Sequence, residues 1–135
     1  MERGFRTLPQ YPGASEILHR LNDEYGVNIR IITHRLFKGG TKNLPKDIYE
    51  IIAEDTIASL RKNHIPFNDF CMIESKADIN VDLMVDDAPH NIQAMSDNNT
   101  PVLIFDQVYN QHLNYPRAKN WQEVYNVVKS HIENA

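Results

Sequence analysis

The stretch VDLMVDDAPHN, residues 81–91, decides the fold, because an apolar run there ends in two adjacent carboxylates. Its apolar residues 83–85 are typical of a short strand in a parallel sheet that helices cover on both faces. Asp86 and Asp87 follow at the carboxyl end of this strand, the edge at which open α/β sheets bind their ligands. Carboxylate oxygens suit Mg²⁺. Taken alone, however, the pair is better explained as a helix cap and turn, since Asp is a preferred residue in both.

Helices and strands alternate on both sides of this stretch. Helical periodicity predicts helices over residues 13–25, 48–63, 88–97 and 121–132, and apolar runs predict strands over residues 27–32, 70–73 and 101–105, besides the strand that ends at Asp86. Residues 1–12 are predicted to form an irregular lead-in, and residues 107–120 a long loop that folds back over another part of the chain. Asp106 and Tyr109 are interpreted as turn residues. The alternation predicts an α/β fold with a parallel sheet and flanking helices.

Length and composition narrow the class of protein. A chain of 135 residues with 41% apolar and 24% charged residues is long enough for one domain, predicted to span residues 1–135, and too short for two. Its net charge of −4 and the absence of a basic cluster argue against a nucleic acid polymer as partner. No signal core or membrane-length apolar run occurs, so we expect no membrane partner. The single cysteine, Cys71, cannot form an internal disulfide, and we expect a cytoplasmic setting.

Polar residues of three kinds follow three successive predicted strands. Thr33 stands at the end of the first, and Lys76 follows the second. The Asp86–Asp87 pair closes the third. Because the carboxyl ends of parallel strands meet at one edge of a sheet, we expect these groups to face a common crevice. A hydroxyl, an ammonium and two carboxylates in one crevice suit a phosphoryl group bound together with a divalent cation.

Each of these residues also has an ordinary explanation. A Thr at the end of a strand is most often a β-branched residue in its preferred environment, and a Lys after a strand is most often a solvated cation. His34 and Arg35 either clamp a substrate phosphate or are loop residues, and the loop explanation is the better one for His34. No histidines have the paired spacing of metal ligands. The occurrence of Thr33, Lys76 and Asp86–Asp87 in this order nevertheless favours a phosphate and metal site. To dismiss the site, the ordinary explanations of all three features would have to hold together.

The order Thr33, then Lys76, then Asp86–Asp87 resembles the second, third and fourth motifs of the haloacid dehalogenase-like (HAD) phosphohydrolases. The chain resembles one branch in particular, the cytosolic type C 5'(3')-deoxyribonucleotidase-like proteins. The segments that carry this likeness are GFRTLPQYPGASEILHRLNDEYG (4–26), VNIRIITHRLF (27–37), IPFNDFCMIESKADINVDLMVDDAPHNI (65–92) and TPVLIFDQVYN (100–110). The strongest piece is SKADINVDLMVDDAPHNI, in which the Lys-to-Asp-Asp spacing and the following Pro and Asn match the branch.

The resemblance implies a Rossmann-like HAD core and a phosphomonoester hydrolase of the 5'-nucleotidase type, which uses Mg²⁺ and an aspartyl-phosphate intermediate. Its substrate would be a small phosphate monoester, namely a nucleoside or deoxynucleoside monophosphate. The residues then expected to bind the phosphate are Thr33, His34, Arg35 and Lys76. Lys76 would also orient the nucleophile and stabilise charge. Asp86 would ligate the metal, and Asp87 would ligate it directly or through water, so that Thr33, Lys76 and Asp87 serve catalysis.

The sequence departs from the family's pattern at its start. The family's nucleophile and its general acid and base are the two aspartates of an Asp-x-Asp motif on the first strand, and no Asp-x-Asp occurs in the 135 residues. We therefore expect that strand, and the small cap after it, to be missing. The loss would leave a gap in the sheet between the strand ending at Thr33 and the strand ending at Asp86. Without the nucleophile the chain is expected to be inactive alone.

Three other classes of protein share parts of this pattern. A receiver domain of two-component signalling has its acids, Thr and Lys in a different order. A nicotinamide-cofactor domain needs a Gly-x-Gly-x-x-Gly after a strand, which this sequence lacks. A non-catalytic HAD-like module that binds phosphate or another protein stays open as the alternative. Such a module would pair through its open sheet, for example as a homodimer by strand pairing.

Overall fold

The alternation of helices and strands predicted from the sequence is present in the computed structural model, which describes residues 11–34, 46–73 and 80–134. The α-helices in this part are α1 (Ala14–Tyr25), α2 (Lys46–Lys62), α3 (Pro89–Asp97) and α4 (Trp121–Glu133). The strands are β1 (Arg30–His34), β2 (Asp69–Ile73), β3 (Met84–Asp86), β4 (Val102–Phe105) and β5 (Arg117–Ala118). A short 3₁₀ helix (Val108–Asn110) lies between β4 and β5.

All strand pairs in the described ranges are parallel. β1 pairs with β2 in one sheet, and β3, β4 and β5 pair in that order in a second sheet. In these ladders Thr33 lies opposite Met72, and Asp86 lies opposite Ile104. The predicted fold class is confirmed, because helices alternate with parallel strands as in a Rossmann-like HAD core. Within the same ranges no ladder joins β1 to β3.

Both sheets lie between the same two layers of helices. On one face, side chains from β1 and β4, such as Ile31 and Leu103, pack with apolar residues of α1 and α4. On the other face, Ile32, Met84 and Ile104 pack with apolar residues of α3. Full burial of a side chain such as Leu103 or Ile104 contributes about 1.5–3 kcal/mol. Alternate residues of β1 thus enter the same two cores as those of β3 and β4, so the strands form one layer.

Two glycines fix the ends of α1. Gly13 and Gly26 have φ values of 94° and 66°, a left-handed conformation that favours glycine over other residues. The N–H of Gly26 donates to the carbonyl of Asn22 at 3.0 Å, and the N–H of Val27 donates to that of Leu21 at 3.2 Å. Because this closing turn takes up Val27, β1 begins later than the predicted strand over 27–32.

The stretch 107–120 is more ordered than the plain loop predicted for it. It contains the 3₁₀ helix and then β5, whose two residues extend the second sheet beside β4. The N–H groups of Ile104 and Asp106 donate to the carbonyls of Pro116 and Ala118, each at 2.8 Å. The sequence hides β5, because a two-residue strand has no apolar alternation to detect.

Helices α1 and α4 are joined by a polar cluster at the surface. The hydroxyl of Tyr125 donates a hydrogen bond to the carboxylate of Glu24. The guanidinium of Arg20 lies 4.1 Å from the centre of the Tyr125 ring, and its Nε donates to Glu24 at 3.1 Å. These hydrogen bonds, from Tyr125 first and then from Arg20, lower the pKa of Glu24.

Candidate functional site

Two buried carboxylates end β3. Asp86 is the last residue of the strand and Asp87 follows it, and their exposed fractions are 0% and 1%. Oδ1 of Asp86 accepts hydrogen bonds from the backbone N–H groups of Asp87 at 2.7 Å and Ala88 at 3.0 Å, which makes a tight turn. The turn explanation is therefore right for Asp86. The helix-cap explanation is wrong, because the N-cap residue of α3 is Ala88.

Burial distinguishes this pair from an ordinary surface turn. Moving a carboxylate out of water is unfavourable unless hydrogen-bond donors or a cation compensate for the lost hydration. Asp86 and Asp87 are both buried and adjacent, so their charges also repel each other. A divalent cation held by carboxylate oxygens would offset both effects.

A tyrosine contacts the second carboxylate from the 3₁₀ helix. The hydroxyl of Tyr109 donates a hydrogen bond to Oδ2 of Asp87 at 2.5 Å, although half of the Tyr109 surface is exposed. Burial of the hydroxyl, and then its hydrogen bond to Asp87, hold the pKa of Tyr109 well above its usual value. A second ring, Tyr11, stacks on Phe105 with 4.9 Å between centroids. Burial and the negative charge of Asp87 raise the pKa of Tyr11 as well.

Asn110 fixes the position of the 3₁₀ helix. Its side chain is fully buried, and Nδ2 donates to the carbonyls of Asp87 at 3.0 Å and Phe105 at 2.9 Å. Its Oδ1 accepts from the N–H of Gln107 and from Nη1 of Arg117, each at 3.1 Å. One side chain therefore ties the loop to the carboxyl ends of both β3 and β4.

An ion pair between Arg117 and Asp106, called the Arg117–Asp106 brace below, stabilises this loop at its partly exposed side. Nη1 of Arg117 also donates to Oδ1 of Asp106 at 2.5 Å, and the same oxygen accepts from Nε2 of Gln111 at 2.8 Å. The hydrogen bonds from Gln111 and then from Arg117 lower the pKa of Asp106. Nη2 of Arg117 donates to the carbonyl of Leu113 at 2.9 Å.

The interpretation of Asp106 and Tyr109 as turn residues does not account for the contacts that these two side chains make. Asp106 forms the ion pair with Arg117, and Tyr109 donates a hydrogen bond to Asp87. Sequence reasoning missed Asn110 and Arg117 altogether. The one signal for them is the length of the stretch 107–120, which suggested a loop that folds back over another part of the chain.

Thr33 is fully buried near the end of β1. The helix before it, α1, begins beside the Tyr11–Phe105 stack at the carboxyl end of β4. The turn at Gly26 reverses the chain, so β1 runs back and ends at the edge where α1 began. This course of the chain agrees with the prediction that Thr33 and the carboxylate pair face a common crevice, which stays a prediction.

Three other predicted site residues cannot be placed in the same way. Lys76 and Arg35 lie outside the described residues, as does the side chain of His34, whose backbone ends β1. Of the predicted set, Thr33 and the two aspartates are described with their side chains, and all three are buried. The roles assigned to Lys76, His34 and Arg35 stay predictions.

The ligands available at the carboxylate pair are of the type that Mg²⁺ prefers, but they are fewer than its coordination shell requires. Carboxylate oxygens are the ligands that Mg²⁺ prefers, and Asp86 and Asp87 offer them from one turn. Within residues 11–34, 46–73 and 80–134 no three His, Cys, Asp or Glu side chains form a group that could hold a metal. Water, substrate oxygens or groups outside these ranges would have to complete an octahedral shell.

Nearly the whole chain matches one known protein family. The family model described as "5' nucleotidase, deoxy (Pyrimidine), cytosolic type C protein" matches residues 1–132. Within the described ranges, no helix has both the length and the apolar character that a membrane crossing requires.

Two curated relatives are similar over most of the chain. A protein of Chlorobaculum tepidum named "Putative 5'(3')-deoxyribonucleotidase" is 30% identical over 128 residues, which are 95% of this chain and 59% of that protein. A protein of Oceanobacillus iheyensis named "Putative nucleotidase" is 31% identical over 129 residues, which are 88% of this chain and 61% of that protein. The chain thus spans about three fifths of the length of these relatives.

Proposed function

The chain belongs to the HAD-like cytosolic type C 5'-nucleotidase family, and from this premise we propose that it carries the phosphate- and metal-binding part of a phosphomonoester hydrolase. The substrate class proposed is a nucleoside or deoxynucleoside monophosphate. The observation that carries the proposal is the buried, adjacent pair Asp86–Asp87 at the end of β3, and the buried Thr33 near the end of β1 supports it. We further propose that the chain acts in the cytoplasm as one domain.

Each residue of the proposed site has a distinct part. Thr33, helped by His34 and Arg35, donates hydrogen bonds to the phosphate oxygens, and Lys76 adds a compact positive charge. Asp86 and Asp87 hold Mg²⁺, which when bound neutralises phosphate charge and acts as a Lewis acid. Buried carboxylates suit this part because a cation compensates for the hydration they have lost.

Hydrolysis through an aspartyl-phosphate, the mechanism of the family, needs a carboxylate nucleophile besides these residues. A carboxylate nucleophile must attack the phosphorus while the alcohol leaves, and the Asp-x-Asp that provides it in the family does not occur in the sequence. We therefore propose that these 135 residues alone bind a phosphate monoester with Mg²⁺ but do not hydrolyse it.

The test measures binding and hydrolysis separately. Isothermal titration with a deoxynucleoside monophosphate should show binding that requires Mg²⁺, and Thr33→Val or Asp86→Ala should weaken it at least about tenfold, as expected for charge-assisted contacts. The matched control is Asp82→Asn, which removes an exposed carboxylate shortly before β3 and should bind as the parent chain does. Phosphate release should stay at the background rate. Mg²⁺-dependent release that Asp86→Ala abolishes would contradict the proposed inactivity, and equal binding by all variants would contradict the site.

A second candidate function follows from the sheets. β1 and β3 each have one ladder partner within the described residues, β2 and β4 respectively, so the second edge of each strand could accept another strand there. A non-catalytic module could use these edges to pair with a second copy of itself. Sedimentation over a range of concentrations discriminates the two functions. A stable dimer without Mg²⁺-dependent nucleotide binding favours the pairing module, whereas a monomer that binds nucleotide favours the hydrolase part.

A further inference from the structure

We infer that Tyr109 is a positioning residue for Asp87, and that its hydroxyl holds this carboxylate in the orientation with which the chain binds a divalent cation. The inference rests on the proposed function, since it concerns the same carboxylate pair. It adds a residue from a different element, because Tyr109 lies in the 3₁₀ helix after β4, whereas Asp87 follows β3.

In the hydrogen bond between Tyr109 and Asp87, the tyrosine is the donor. The Tyr109 hydroxyl lies 2.5 Å from Oδ2 of Asp87, and an ionised carboxylate only accepts hydrogen bonds, so the phenol is the donor. Hydrogen bonds to ionised groups are shorter and stronger than those between neutral groups. Asp87 is 1% exposed, so water competes little for this oxygen.

Core packing does not account for a tyrosine at this position. Tyr109 is 51% exposed, and its neighbour Val108 is 90% exposed, so this side of the 3₁₀ helix faces solvent. The helix is anchored instead by Asn110, which is fully buried and bonded to the carbonyls of Asp87 and Phe105. With the backbone already fixed, what Tyr109 contributes to the interior is its hydroxyl on Asp87.

The two carboxylates are thus held by different means. Oδ1 of Asp86 is held by two backbone N–H groups of the turn, whereas Oδ2 of Asp87 is held by a side chain that reaches it from another loop. Residues that hydrogen-bond to a metal-ligating carboxylate fix its orientation, and removing one typically weakens metal binding about 10- to 100-fold. The Asp87 carboxylate depends in this way on Tyr109, and a cation bound by the pair depends on both.

Two hydroxyl deletions in the 135-residue chain test the inference. Tyr109→Phe removes the donor to Asp87, and Tyr125→Phe removes a tyrosine donor to another carboxylate, Glu24, at the remote α1–α4 contact. Mg²⁺ affinity is measured by titration calorimetry, and the ¹³Cγ chemical shift of Asp87 is measured without metal. We expect Tyr109→Phe to weaken Mg²⁺ binding at least about tenfold and to shift the Asp87 resonance, while Tyr125→Phe changes neither. Urea unfolding of each variant confirms that it is folded.

The outcomes separate the inference from the function on which it rests. Unchanged Mg²⁺ affinity in Tyr109→Phe, in a parent chain that binds Mg²⁺, overturns the inference alone. A parent chain that binds no Mg²⁺ overturns the proposed metal site and the inference with it. Equal losses of affinity in both variants also overturn the inference, because the effect would then be general rather than local to Asp87.

Discussion

The side-chain amide of Asn110 donates a hydrogen bond to the backbone carbonyl of Asp87 at 3.0 Å, although 23 positions separate the two residues in the sequence. The same amide donates to the carbonyl of Phe105 at 2.9 Å, so one buried side chain holds the carboxyl ends of β3 and β4 together. The geometry around the carboxylate pair therefore depends on a loop that follows the next strand.

Replacement of Asn110 by Ala should destabilise the chain strongly. The substitution leaves two buried backbone carbonyls without this donor and removes an acceptor from Arg117. Each buried group left without its partner costs about 1–3 kcal/mol, so we expect the free energy of unfolding to fall by about 3 kcal/mol. Urea denaturation followed by circular dichroism measures this change.

The control for that experiment is Asn126→Ala on the exposed face of α4, where the side-chain Oδ1 accepts a surface hydrogen bond from Gln122 at 3.2 Å. Its free energy of unfolding should change by no more than about 0.5 kcal/mol. If the two substitutions destabilised the chain equally, the buried network around Asn110 would not be the tie between β3 and β4 described above.

The contrast between Asp86 and Asn110 shows what the sequence could predict. Asp86 follows an apolar triplet, and this local sequence pattern is enough to place it at the end of a strand. The helices α1 to α4 and the strands β1 to β4 were predictable for the same reason. Asn110 acts through contacts with residues 5 and 23 positions away, and no periodic pattern marks such a residue. β5 was not predicted, because it is a strand through its ladder with β4 and not through the strand propensity of its two residues.

The Arg117–Asp106 brace should make stability depend on acid pH. The folded-state pKa of Asp106 is lowered, by hydrogen bonds from Gln111 and then Arg117, so the stability it contributes is present above its unfolded pKa and is lost as pH falls through the folded value. Below about pH 4 the parent chain should therefore lose stability more steeply than Asp106→Asn. Urea midpoints across an acid series test this, with Asp82→Asn as the exposed-carboxylate control. Parallel curves for the parent chain and Asp106→Asn would contradict it.

The α1–α4 contact should be visible in the alkaline titration. Its hydrogen bond to Glu24, and then burial, raise the pKa of Tyr125 to about 12. Because the pKa of Tyr125 is raised in the folded chain, its hydroxyl contributes stability below the usual tyrosine pKa of about 10. This contribution is lost as the pH rises from there toward the pKa of Tyr125 in the folded chain. Glu24→Gln should lower the Tyr125 pKa toward about 10, because the ionised acceptor is gone. Ultraviolet titration of phenolate formation measures it, with Tyr125→Phe identifying the signal, and a Tyr125 pKa near 10 in the parent chain would refute the contact.

Two substitutions of Asp86 should separate its structural part from its metal-binding part. Asp86→Asn keeps a carbonyl oxygen that can accept from the N–H groups of Asp87 and Ala88, whereas Asp86→Ala leaves both donors without this partner. We therefore expect Asp86→Ala to lower the free energy of unfolding by about 2 kcal/mol more than Asp86→Asn does. Both variants lack the charge that the proposed cation requires, so Mg²⁺ should raise the melting temperature of the parent chain and of neither variant. An Asp86→Asn chain that Mg²⁺ still stabilises as it does the parent would place the cation elsewhere, and equal destabilisation by both substitutions would mean that the turn does not depend on Oδ1.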